Sequence, residues 1–306
     1  MKKIFIPVKI LIVILLIACG GTKKIPVTQE LFKSSVFTPL NSFTGGAEGP
    51  AVDKDGILYA VNFSKEGTIG KVIPSAKASV FVELPNGSVG NGIGFSSKGD
   101  MFIADYTNHN VLKVDMATKQ ISVFAHEPTM NQPNDLAIDN QDRIYASDPN
   151  WKAGTGQIWR IDLDGKATLL EDKMGTTNGI EVSPDNKTLY VNESVQKKVW
   201  AYDLSADGKV SNKRMIYEFF DFGMDGMRCD IDGNLYIARY GKGTVAKISP
   251  SGKLLQEIIL TGKNVSNIAF GGKDGCTAYV TLQDNGNIET FRVDKPGREW
   301  AMMNRK

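Results

Sequence analysis

Six polar residues recur at one register of this sequence, and two of them are carboxylates. Glu48, Asn91, Asn134 and Asp225 stand eleven residues before a strand aromatic; Asn178 and Asn267 stand twelve before one. Asn and Asp favour turns leading into strands because their side chains bond nearby backbone amides. That accounts for Asn91 and Asn267. It does not account for Glu48, since Glu is no turn-former, nor for two carboxylates among asparagines. An enclosed carboxylate is costly unless paired or metal-bound, and no Lys or Arg occupies the register. A hard divalent cation resolves this. Ca²⁺ accepts carboxylate and amide oxygens in flexible geometry, and two carboxylates neutralise it. The histidines, His109 and His126, lie off the register, as do the cysteines. Zinc ligation by nitrogen and sulfur is therefore disfavoured, although oxygen ligands also accept Mg²⁺, Mn²⁺ or Zn²⁺. The same two histidines leave no credible Ser-His-Asp triad.

The elements that would position this ring are repeats. VDKDGILYAVN, FSSKGDMFIAD, IDNQDRIYASD, VSPDNKTLYVNE, CDIDGNLYIAR and FGGKDGCTAYVT share a tight turn followed by an apolar-aromatic strand. Their aromatics, Tyr59, Phe102, Tyr145, Tyr190, Tyr236 and Tyr279, are separated by 43, 43, 45, 46 and 43 residues. That period, with several short strands per copy, is the signature of propeller blades. One copy parses into Gly92–Ser96, Met101–Ala104, Val111–Asp115 and Ile121–Phe124, an antiparallel meander. The expected fold is all-β, a six-bladed propeller of four-stranded antiparallel blades. The last copy has three strands, and Ser35-Val36-Phe37 resembles Ser79-Val80-Phe81 and Ser122-Val123-Phe124. The N-terminal strand is therefore expected to complete the sixth blade. The domain spans 32–294, with a C-terminal tail at 295–306. With the first strand of each blade innermost, the six polar residues should ring one mouth of the central channel.

The N-terminus reads as an export signal. Lys2 and Lys3 precede the apolar run Ile10–Ile17, which is too short to span a bilayer. Leu16-Ile17-Ala18-Cys19, followed by Gly20, looks like a bacterial lipobox. Residues 1–18 would be the signal peptide, Cys19 the lipidated residue and 19–31 a tether, leaving an exported protein anchored to a bacterial membrane by lipid. Losing Lys2, Lys3 and Lys9 takes the formal charge from +2 to −1, which leaves no electrostatic case for nucleic acid. Cys229 and Cys276 lie in apolar strands and are expected to be buried free thiols.

Glu48-Gly49-Pro50, Pro133-Asn134-Asp135, Asn178-Gly179-Ile180 with SPDNKTLYVNES, Asp225-Gly226-Met227 with DIDGNLY, and SNIAFGGKDGCTAYVT resemble the gluconolactonase family, which includes regucalcin. The resemblance covers about residues 40 to 294. It implies a six-bladed propeller with one catalytic divalent cation in the channel. The ligands it implies are Glu48, Asn134, Asn178 and Asp225, with Asn91 and Asn267 unassigned. The implied activity is lactone hydrolysis, commonly of sugar lactones such as gluconolactone. Asp225 would orient or deprotonate water, or attack directly in the organophosphate-hydrolysing relatives. Animal members carry an arginine two residues before the third-blade ligand; here Gln132 stands there, which points to a changed substrate.

Second-strand ends should face the same mouth if strands alternate direction. Asn62, Asp105, Asp148, Glu193, Arg239 and Leu282 lie three residues beyond each aromatic. Asp105 and Glu193 read better as loop caps. Asp148, with Trp151 in a longer loop suited to sugar stacking, reads as substrate-binding, as do Asn91, Gln132, Arg239 and Tyr240. His109 and His126 read as turn and loop residues. Three functions follow: a monomeric Ca²⁺-dependent lactonase acting on a small molecule, a non-catalytic NHL-like binding propeller, since propellers host many functions, or an organophosphate hydrolase with the same metal site.

Overall fold

A computed structural model describes residues 30–304. The signal segment, Cys19 and most of the expected tether lie outside the described residues. Among those described, six four-stranded antiparallel sheets form, each with its strands in chain order apart from the last. The blades run from 43 to 83, 90 to 126, 136 to 174, 177 to 218 and 227 to 259, and the sixth from 265 to 292. The strand Ser35–Val36 pairs with Asn287–Arg292, Ser35 opposite Thr290 and Val36 opposite Glu289. The N-terminal strand thus closes the sixth blade as expected, and Phe37 packs on Tyr279 at 5.1 Å.

The repeat owes its period to packing. Each of the six register aromatics is buried in a different hydrophobic cluster, and each cluster lies between two neighbouring blades. A four-stranded sheet cannot bury both faces alone, so one large ring per interface is repeated around the axis. First strands are buried along most of their length, whereas fourth strands such as Leu254–Ile259 are mostly exposed. The channel therefore runs between first strands. Cys229 and Cys276 are free, the first buried and the second half-buried.

The C-terminal segment 295–306 carries a helix, Arg298–Met303. Gly297 forms a bridge with Asp230, and Arg298 is buried. The C-terminus thus covers the end of the channel opposite the polar ring.

Candidate functional site

Ring residues sit where the β-ladder breaks. Glu48, Asn91, Asn178 and Asn267 fall at irregular pairing between first and second strands. Asn134 and Asp225 lie just before the first strands Leu136–Ile138 and Met227–Cys229. Four of the six therefore lie within a strand rather than ahead of it. Such breaks re-aim a side chain out of the normal alternation.

Neighbouring ring residues are held together through backbone. The Gly92 N–H donates to the Asn134 carbonyl at 2.7 Å, and the Gly179 N–H to the Asp225 carbonyl at 3.2 Å. A Cβ on Gly92 would lie 2.8 Å from that Asn134 oxygen, and one on Gly179 2.6 Å from that Asp225 oxygen. The residue after a ring position is glycine where the blades must approach this closely. Asn192 Nδ2 also donates to the Asp225 carbonyl, at 2.7 Å.

Glu48, Asn91, Asn134, Asn178 and Asp225 line one cavity of about 470 Å³; Asn267 does not. Glu48 Oε1, Asn134 Oδ1 and Asn178 Oδ1 are buried without any hydrogen-bond partner. Buried acceptors are ordinarily satisfied, so three orphaned oxygens lining one cavity mark a missing donor or cation. Burial, then the Asp135 charge, pushes the Glu48 carboxyl up to about 7. Asp225 is raised well above the usual carboxylate range by burial and then by the Glu48 charge. No group of three or more His, Cys, Asp or Glu converges among the described residues. The donor set is two carboxylates and two amide oxygens, which suits a hard divalent cation.

Beneath the ring the channel is filled by ions that do pair. Arg228 makes a bidentate pair with Asp135, at 2.8 and 3.0 Å, and its Nε lies 3.4 Å from Glu299. Arg298 bonds Glu181 at 3.3 Å and the Ile138 carbonyl at 2.8 Å. Burial still raises Glu181 to about 7, with Arg298 pulling it down. Asp135 stands in the Pro133-Asn134-Asp135 motif, whereas Glu181 and Arg228 belong to none of the motifs that mark the ring. A signal existed: three residues after the ring, the other copies carry Ala51, Gly94, Ala137 and Phe270, so Glu181 and Arg228 stand out.

Of the expected substrate contacts, Asn91, Trp151 and Tyr240 line the cavity. Arg239, Asp148 and Gln132 do not, which corrects three expectations. Arg239 is fully buried, bonded to Asp221 at 2.6 Å, 3.7 Å from Glu257 and stacked on Phe219 at 3.4 Å. Asp148 accepts from the Asn131 and Gln132 amides and from Trp159 Nε1, at 2.8, 2.6 and 3.1 Å, so it organises its loop. Gln132 is half-buried and contributes that amide.

For Arg239 the cause is a register slip of one. Four residues beyond the aromatic, not three, stand Tyr106, Ser194, Tyr240 and Gln283, and all four line the cavity. Side chains alternate along a strand, so the preceding residue points elsewhere. Asn62 is the exception, lining the cavity from a backbone with φ 62°. Asp105 and Glu193 cap loops as expected, through Ser88 and the Gly175 amide.

The family described as SMP-30/Gluconolactonase/LRE-like region matches residues 46–284. A gluconolactonase of Zymomonas mobilis is 27% identical, over 78% of this chain and 76% of its own length. The diisopropyl-fluorophosphatase of Loligo vulgaris is 27% identical, over 90% of this chain and 96% of its own. The crystal structure of a calcium-binding protein, regucalcin, from Agrobacterium tumefaciens superposes with TM-score 0.72 at 22% identity, covering 88% of this chain and 94% of that one. At that identity the likeness establishes the fold.

Proposed function

The chain belongs to the SMP-30/gluconolactonase/LRE-like family, and on that premise we propose that it is a metal-dependent lactone hydrolase. Gluconolactonase relatives support lactone hydrolysis at the level of the family. The observation that carries the finer reading is the trio of orphaned oxygens on Glu48, Asn134 and Asn178, lining one cavity with the Asp225 carboxylate.

Glu48, Asn134, Asn178 and Asp225 would hold one divalent cation, Ca²⁺ in preference to Zn²⁺, Mn²⁺ or Mg²⁺. Such a cation supplies polarisation of the ester carbonyl and stabilisation of oxyanion charge. Asp225 orients a water and accepts its proton as the oxygen adds to the acyl carbon. The ring C–O bond then breaks and the proton passes to the leaving alkoxide. The glycine and Asn192 contacts fix the Asp225 backbone. Trp151, Tyr106 and Tyr240 offer ring faces for stacking along the cavity wall.

A lactone panel run with EDTA, Ca²⁺, Zn²⁺, Mn²⁺ and Mg²⁺ tests this. Activity should vanish in EDTA and return with one cation. Asp225→Asn should lower kcat/KM by about 10³ or more with the fold retained; unchanged turnover removes Asp225 from the chemistry. Diisopropyl fluorophosphate belongs in the same panel, because the Loligo relative matches nearly the whole chain.

A further inference from the structure

The geometry points to Glu66 as a specificity-determining residue: its carboxylate, unmatched by any cation in the cavity lining, forms a charge filter that admits neutral lactones and excludes anionic ones. This rests on the lactonase reading and adds a substrate class to it.

The cavity is lined by three carboxylates, Glu48, Glu66 and Asp225, and by no Lys, Arg or His among the described residues. A divalent cation at the floor would neutralise Glu48 and Asp225 and leave Glu66 uncompensated. Glu66 makes no ion pair among the described residues, and its neighbour Lys65 is held by Glu83 at 3.0 Å. Cations closest in sequence to the lining are likewise committed or displaced. Arg239 is neutralised by Asp221 and Glu257, and Lys242 bonds the same two carboxylates at 3.0 and 2.8 Å. Lys152, beside Trp151, does not line the cavity. A phosphorylated or carboxylated lactone would meet like charge with no countercharge to receive it. Such juxtaposition suppresses binding and slows encounter. The rest of the lining is uncharged, mixing Val89, Tyr106, Trp151 and Tyr240 with amide side chains. It favours an uncharged ring face with hydroxyls that bond Asn62, Asn91 or Gln283.

The test compares glucono-δ-lactone with its 6-phosphate in the Ca²⁺-loaded full chain. At low ionic strength kcat/KM should favour the neutral lactone by on the order of tenfold or more, and 0.5 M salt should compress the ratio. Glu66→Gln should shrink the ratio several-fold, Glu66→Lys should shrink it further, and Glu66→Asp should keep it. A merely structural role would move both substrates together. A ratio that ignores both Gln and Lys overturns the filter while leaving the lactonase reading intact. In parallel, calorimetry with gluconolactam and its 6-phosphate measures binding without turnover. Glu66-dependent preference for the neutral lactam, with no lactone hydrolysed, would sustain the filter and sink the lactonase reading. Failure of the cavity to bind either lactam overturns the filter.

Discussion

The two ends of the central channel treat charge in opposite ways. Beneath the ring, Asp135 and Glu181 each face an arginine, Arg228 or Arg298, and Arg228 also reaches Glu299. At the mouth, Glu48 and Asp225 face each other and asparagines, and three oxygens have no partner. Both ends are built on the same first strands, within a few residues of one another. The lower end neutralises itself with side chains that the fold encloses. The upper end has no such partner side chain, and its carboxyls are raised instead.

Opposite signs are therefore expected when charge is removed from the two ends. Arg228→Met leaves Asp135 buried and unpaired, and should destabilise by about 3–5 kcal/mol. The double variant Arg228→Met with Asp135→Asn should recover much of that loss in chemical denaturation. Equal losses in both would mean that Arg228 acts through packing alone. In EDTA, Glu48→Gln should instead raise Tm, by about 2–4 °C for each kcal/mol of relieved repulsion.

The comparison also has a pH form. Glu48 is raised from its ordinary 4.5 to about 7, so the native state binds more protons than the unfolded chain. In metal-free protein the Glu48 contribution is fully present below about pH 4.5 and is lost as pH rises through about 7. Wild type should accordingly lose Tm relative to Glu48→Gln across that window. Parallel curves would show that the ring is neutralised some other way. Gly179→Ala has a smaller effect, about 1–3 kcal/mol, because its Cβ must push the Asp225 carbonyl aside. Activity should fall further than stability.

Much of this was legible because it repeats. Six aromatics at one spacing fixed the blades, and the same spacing gave Glu48 and Asp225 their places. The closing strand could be read from Ser35-Val36-Phe37, since its spacing to Glu48 echoes that of two other copies. What escaped is what repetition does not encode. Arg239 and Tyr240 are adjacent, yet only Tyr240 lines the cavity, because strand alternation turns a one-residue slip into the wrong face. The Arg228–Asp135 pair joins blades 93 residues apart. Glu299 and Arg298 come from a helix with no counterpart in any copy. Such contacts depend on ring closure, which no local pattern records.

On the proposed reading, the mouth would hold one divalent cation and the lower end none. Equilibrium dialysis of Ca²⁺ against EDTA-stripped protein, with elemental analysis, tests it directly. Wild type should bind one equivalent per chain and rise in Tm, Glu48→Gln and Asp225→Asn should lose that equivalent, and Glu181→Gln should keep it. No bound cation in wild type, or an equivalent that survives both ring variants, would rule out a cation at the mouth.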